Sequence, residues 1–143
     1  MKRTLAPGLK HTFSYRVPEN KTVPYTYPES QIIANMPKVF ATGFMIVLME
    51  WVCTQLMAPH LDPGEGSVGT HVDVSHSAAT LPGQTVTVDV NLAEVQGRKL
   101  VFNVHAHDGI DVIGEGRHER VVVNWDSFNA KVAEKAKVAE LVS

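Results

Sequence analysis

Three residues in this 143-residue sequence stand where their side chains could do chemistry: Glu50, His76 and Thr42. Glu50 falls midway along a run whose apolar residues, Phe44, Met45, Val47, Leu48, Trp51, Val52, Leu56 and Met57, predict a helix with almost no polar face. An ionised carboxylate there is costly unless it is paired or hydrogen-bonded. Glu50 therefore either fills a narrow wet gap, pairs structurally with an arginine, or is placed to activate water or attack an acyl carbon. His76 closes a stretch in which Thr70, Val72, Val74 and His76 share one face and His71, Asp73 and Ser75 the other. The valine face is expected to pack on the helix, which aims His76 at the element carrying Glu50; a satisfied core histidine is the plainer alternative. Thr42 stands at the expected helix start. There threonine commonly caps, but its hydroxyl and the free N–H groups of the first turn can also hold a carbonyl oxygen or a carboxylate.

Spacing limits how these three cooperate. Thr42 and Glu50 are eight residues apart, which is about 12 Å along a helix axis. If both lie on one helix, they cannot touch the same small acyl group within one protomer. Either Thr42 lies in a loop that folds back, or a second subunit supplies one of the two. The second arrangement, a composite site, is the expectation.

Other chemistry-bearing residues point nowhere so definite. His105 and His107 share a strand face in the manner of a cupin-type metal site, but Glu115 follows eight residues after the second histidine and no third ligand is suitably spaced. They read as polar residues on a wet sheet face, and no metal site is expected. Gly64-Glu65-Gly66 is too short and too acidic for a phosphate loop, and Gly114-Glu115-Gly116 falls inside a strand. Cys53 is the only cysteine, so it makes no internal disulfide and no CxxC motif.

Thirteen Lys and Arg stand against fifteen Asp and Glu, a formal charge of −2, which removes the electrostatic footprint of a general nucleic-acid binder. The apolar and charged fractions, 44% and 20%, are those of an ordinary globular protein, and one domain spanning residues 1–143 is expected. Lys2 and Arg3 have no apolar segment behind them, and the run from Gly43 to Leu61 is interrupted by Glu50, Gln55 and Pro59. The expectation is a soluble cytoplasmic protein with no membrane partner.

The elements that must position these residues follow from pattern. Lys10 to Val17 alternates as an edge strand, a proline-punctuated loop follows, and Glu29 to Asn35 allows one short helical turn. The helix carrying Glu50 ends by Pro59, and Asp62-Pro63-Gly64-Glu65-Gly66 is a turn. Four strands are then predicted: Ser67 to Ser77, Thr85 to Glu94, Lys99 to Asp108 and Ile110 to Asn124. Pro82-Gly83, Gln96-Gly97 and Asp108-Gly109 suit hairpin turns between them. Gly114 and Gly116 suggest a bulge or bend, and Asp126 is expected to cap a terminal amphipathic helix through about Leu141. Strand, buried helix, then four antiparallel strands is an α+β order: a bent sheet wrapped around a central helix, the hotdog fold. A lone copy leaves sheet edge exposed, so a dimer with a continuous sheet is expected.

Particular segments carry a resemblance. Lys21-Thr22-Val23, Tyr27-Pro28-Glu29-Ser30, Val39-Phe40-Ala41-Thr42-Gly43-Phe44-Met45 and Leu48-Met49-Glu50-Trp51 resemble, in order and spacing, the fluoroacetyl-CoA thioesterase-like group of hotdog proteins. So do Pro63-Gly64-Glu65-Gly66-Ser67 with Gly69-Thr70, His118-Glu119-Arg120, and Phe128-Asn129-Ala130-Lys131-Val132. The resemblance implies a homodimer that hydrolyses an acyl-CoA to a carboxylic acid and free CoA, without metal or organic cofactor. It carries that family's catalytic threonine, glutamate and histidine onto Thr42, Glu50 and His76. The glycine near the thioester carbonyl falls on Gly69, and a supporting arginine on Arg120.

One departure concerns the lid over the acyl group. Where the fluoroacetyl-specific enzyme has phenylalanines, this chain has Ile33 and Met36, which fill space differently and lack a ring's quadrupole. A short-chain acyl-CoA is therefore the implied substrate, with fluoroacetyl-CoA among the candidates. Glu50 would attack the carbonyl or act as general base, His76 would share or move a proton, and Thr42 would hold substrate or carboxylate. The Gly69 N–H would meet the oxyanion. Lys38, Arg98, Lys99 and Arg117 are cations that could meet CoA phosphates, none of them assigned. The rival reading is a non-catalytic hotdog protein that binds acyl-CoA and has no need of Glu50.

Overall fold

Apolar alternation is what shapes the sheet. Val86, Val88, Val90 and Leu92, then Leu100, Phe102, Val104 and Ala106, are all buried, two rows of inward residues on adjacent strands. Each such side chain contributes on the order of 1.5–3 kcal/mol when fully buried. The computed structural model describes residues 1–141, so the last two residues of the expected single domain lie outside them. In chain order it has β1 (Lys10–Arg16), α1 (Gln31–Ala34), α2 (Thr42–Met57), β2 (Glu65–Val74), β3 (Thr85–Gln96), β4 (Lys99–His107), β5 (Val112–Asn124) and α3 (Trp125–Val138). Short 3-10 turns cover Glu19–Lys21, Val23–Tyr25 and Ala58–His60.

The five strands form one antiparallel sheet in the order β1-β3-β4-β5-β2, with α2 packed on its inner face. Met45, Leu48, Met49, Val52, Cys53, Leu56 and Met57 make the helix side of the core. By length and hydropathy alone, Thr42–His60 is long and apolar enough to cross a membrane; in this fold its buried residues are what the sheet closes over.

Four sequence expectations need correction. The helix is not wrapped all round: Val47 is 56% and Trp51 46% exposed, because one sheet covers only one face. Pro82-Gly83 is not a hairpin turn. Gly83 does take a positive φ of 93°, but β2 pairs with β5 and β3 with β1 and β4, so this segment crosses from one sheet edge to the interior. The strand expected to run to Ser77 ends at Val74, and its alternation breaks at a register shift between Gly69 and His71. Finally, α3 is capped by Asn124, whose side chain accepts from the Ser127 N–H, and Asp126 lies in the first turn.

Candidate active site

Thr42 is not the helix cap. Ala41 holds that place with extended backbone, and Thr42 is the first helical residue. Its hydroxyl is thereby released from capping and lies 2.6 Å from His76 Nδ1. His76 reaches it from the loop beyond β2, and the local packing explains how. Ser75 and Ser77 N–H groups donate to the Glu115 and Ile113 carbonyls, and a side chain at Gly114 would collide with the Ser75 carbonyl. The two glycines expected to bend the strand thus let β5 lie close under the segment that carries His76. On the other side, the Phe40 N–H donates to the Thr80 carbonyl at 2.8 Å, which ties the approach to α2 to the same loop. Burial pushes the His76 imidazole below its ordinary pKa, against a smaller raising effect of the Ala78 backbone. Its Nε2 is buried with no partner among the described residues. Val23, Val39, Phe40, Ser77 and Ala78 line the cleft at this pair.

Glu50 lies on the same helix, so the first alternative for Thr42, a loop folding back, does not occur. Its Oε1 is 3.2 Å from Arg120 Nη1 and 3.5 Å from His118 Nε2. Gly69 faces the same oxygen, and any side chain there would collide with it. Glycine is required at this point of β2 for the carboxylate to approach the strand. Arg120 is buried and held from its far side: Nε donates to Ser67 Oγ at 2.8 Å and Nη2 to the Ser67 carbonyl at 3.0 Å. Among the described residues no donor reaches Glu50 Oε2, so one carboxylate oxygen is anchored and the other is free. Glu50 is 26% exposed by its side chain, open enough for a substrate to reach.

The described protomer therefore brings together Thr42 with His76, and Glu50 with Gly69 and Arg120, as two separate groups along α2. Ile33 and Met36 fall on α1 and just past it; Ile33 is half-buried, Met36 is exposed, and neither lines the cleft at Thr42 and His76. Ser30 caps α1 by accepting from the Ile33 N–H. Of the four cations, Lys38 pairs with Glu19 at 2.5 Å, Arg98 with Glu65 at 2.7 Å and Lys99 with Glu119 at 2.9 Å. Arg117 lies beside His71, Asp73 and Glu119. His105 and His107 are half-buried neighbours on β4, and His105 is 3.8 Å from Asp89.

Sequence reading missed His118 and Ser67, the two residues that hold Arg120. A signal was present. His118 and Arg120 alternate with Val122 on one face of β5, and a carboxylate on an apolar helix needs a cation across from it.

Comparison with known proteins is consistent along the chain. Residues 18–126 match the family model described as fluoroacetyl-CoA-specific thioesterase. The fluoroacetyl-CoA thioesterase of Streptantibioticus cattleyicolor is 54% identical over 135 residues, covering 94% of this chain and 97% of that protein. A solved structure of a fluoroacetyl-CoA thioesterase superposes with a TM-score of 0.90 at 54% identity, covering 92% of this chain and 97% of that one. A Thermus thermophilus protein described as a thioesterase superfamily member superposes with a TM-score of 0.86 at 27% identity, covering 98% and 99%.

Proposed function

The chain belongs to the fluoroacetyl-CoA-specific thioesterase family and is an acyl-CoA thioesterase of hotdog fold; on that premise we propose that Thr42, Glu50 and His76 are its catalytic set and that two subunits supply each site. The observation that carries this reading is the separation of the two groups on α2. Thr42 and His76 touch, while Glu50 stands about two helical turns away, on the order of 12 Å along the axis.

A second copy of the chain closes that gap. β2 is a sheet edge, and Thr70, His71, Val72 and Asp73 on it are exposed. An unpaired edge of this kind pairs readily with its own copy. Antiparallel pairing sets the Gly69 end of one β2 against the Val74 end of the other, from which His76 follows. The site then holds Glu50, Gly69 and Arg120 of one subunit and Thr42 and His76 of its neighbour.

The chemistry is addition of an oxygen nucleophile to the thioester carbonyl and departure of CoA as thiolate. Glu50 supplies the free Oε2, either as nucleophile, giving an anhydride that water opens, or as base on the water that attacks. The Gly69 N–H, at the break in β2, receives the oxyanion. His76 donates its Nδ1–H to the Thr42 hydroxyl oxygen, which leaves the Nε2 lone pair to accept and return the proton of the hydrolytic water. The net change is one water consumed, with its hydroxyl on the acid and its proton on CoA. No metal or organic cofactor enters this scheme, and the free buried thiol of Cys53 suits a reducing cytoplasm. The whole chain acts as one domain, and the resemblance to the family assigns Ile33 and Met36 the cover over the acyl group.

Subunit mixing tests the composite site. His76→Ala and Glu50→Ala subunits are each inactive as homodimers, but co-refolded they form heterodimers with one intact site. Random pairing restores about a quarter of wild-type CoA release. No recovery, with heterodimers verified by mass, would overturn the shared site. A panel of acetyl-, fluoroacetyl-, propionyl- and longer acyl-CoAs then identifies the acyl group. Strong preference for fluoroacetyl over acetyl would show that Ile33 and Met36 sustain the selectivity.

A further inference from the structure

Resting on the role given above to Glu50, we infer that His118 is a positioning residue of this enzyme, which aims the Arg120 guanidinium at the Glu50 carboxylate and does so only as the neutral Nδ1–H tautomer. The tautomer is set by a carbonyl. His118 is 2% exposed, and its Nδ1 lies 2.8 Å from the His71 carbonyl oxygen. A carbonyl accepts and never donates, so Nδ1 carries the hydrogen and a neutral ring leaves the lone pair on Nε2. That lone pair faces Arg120 Nη1 at 3.1 Å.

Four contacts orient Arg120. Ser67 takes the Nε hydrogen and one on Nη2, His118 takes one from Nη1, and the other Nη1 hydrogen points at Glu50 Oε1, 3.2 Å away. Without an acceptor at Nε2, the buried guanidinium has an unpaired N–H and turns from the carboxylate to find a partner. An orienting hydrogen bond of this type matters through precision, since misplacement near 1 Å can cost about 10²-fold in rate.

Protonation reverses the contact. With a hydrogen on Nε2, His118 no longer accepts from Arg120; it repels that cation and becomes a donor toward Glu50 Oε1, 3.5 Å away. The groups facing it are few. From α2 come Glu50 and, beyond it, the Cys53 thiol, which burial pushes up to about 12 and so keeps neutral. From β2 comes the His71 carbonyl, from β5 come Arg120 and Glu119, and from β4 only the uncharged Phe102. Burial is the largest influence and holds the imidazole below its usual pKa. The His71 carbonyl opposes it, Arg120 adds to it, and the Glu50 and Glu119 charges oppose it more weakly. The neutral ring is thus the working form near pH 7.

The test uses two variants of the full-length enzyme, with Glu50→Ala as control. His118→Phe fills the space without an acceptor, and kcat for CoA release is expected to fall at least tenfold with KM within about twofold. His118→Gln places an amide oxygen near the Nε2 position and recovers most of the lost kcat. It also removes one titrating group, so the acid limb of log kcat against pH loses one unit of slope relative to wild type, while that of His76 stays. If His118→Phe keeps wild-type kcat, or His118→Gln is as slow as His118→Phe, or the two acid limbs coincide, the inference fails. Should His118→Phe not fold, the His118→Gln pH profile alone decides. Full turnover by Glu50→Ala would instead remove the catalytic role of Glu50, and this inference with it.

Discussion

At the start of α2, Thr42 meets His76 through one hydrogen bond of 2.6 Å, and His76 arrives from a loop outside the sheet. Two turns further on, Glu50 faces an arginine whose other hydrogen bonds all go to residues of paired strands, Ser67 on β2 and His118 on β5. The first group has one contact and a ring nitrogen left without a partner. In the second, each member is held by at least one neighbour besides the carboxylate. Under the proposed mechanism the difference fits the two halves to different tasks. A carboxylate that must present one free oxygen needs its other oxygen fixed by a rigid frame, and the sheet supplies it. A histidine that must accept and release a proton keeps a nitrogen uncommitted.

The sharpest way to break this contrast is at the rigid half. Glu50→Ala removes the group proposed to attack or deprotonate, and kcat/KM is expected to drop about 10³-fold in a CoA-release assay. Residual activity within tenfold of wild type would show that the fixed carboxylate is structural. Gly69→Ala keeps every functional group yet forces a methyl into Glu50 Oε1. Displacing that oxygen is expected to lower kcat about 10²-fold with little change in melting temperature. A methyl that left turnover intact would mean the Glu50 position is not critical.

At the loop-held half the expected losses are smaller. Thr42→Ala deletes one hydrogen bond to a half-buried imidazole, worth on the order of 1 kcal/mol, so kcat should fall about tenfold at most. Thr42→Ser keeps the hydroxyl and should stay within about threefold of wild type. A Thr42→Ala loss as large as that of Glu50→Ala would show Thr42 in bonding contact with the substrate, and the proposed division of labour would be wrong.

The same contrast governs what could be read from the sequence. Val86 to Leu92 and Leu100 to Ala106 announced their strands because burial on one face forces period-two alternation, and β3 and β4 follow it closely. The extent of α2 was legible for a like reason, an apolar run closed by Pro59. Strand order was not. Pro82-Gly83 has hairpin chemistry, and nothing local says that β2 leaves for the far edge. For Thr42 the sequence leaves two readings, cap or functional hydroxyl, since helix-start preference is statistical; in the fold Ala41 holds the cap position and the hydroxyl meets His76. Glu50 and His76 could be singled out because each is the wrong type for an apolar face, and Thr42 because it stands where a hydroxyl and free N–H groups meet at a helix start. His118 escaped because a histidine beside Glu119 and Arg120 looks like an ordinary polar patch until β5 is known to turn it inward.

Acid stability sharpens the comparison by the smallest effect. His76 and His118 both have folded pKa values below the ordinary one, chiefly through burial. As pH falls, the unfolded chain takes up these protons first, so stability decreases below about pH 6.5 and on through the lower folded values. Above that range neither group contributes a slope. Lowered carboxylates, such as Glu65 at about 2, titrate too far down to interfere, and the raised amino terminus of Met1 acts only at higher pH. A melt at pH 7.5 and again at pH 5.5 should therefore show a drop of a few degrees from the two histidines. His118 is fully enclosed and next to a cation, whereas His76 lies half-buried on the loop beyond β2. His118→Gln should accordingly shrink the drop more than His76→Gln does. If the two variants shrink it equally, the sheet-held half is no more rigid than the loop-held one.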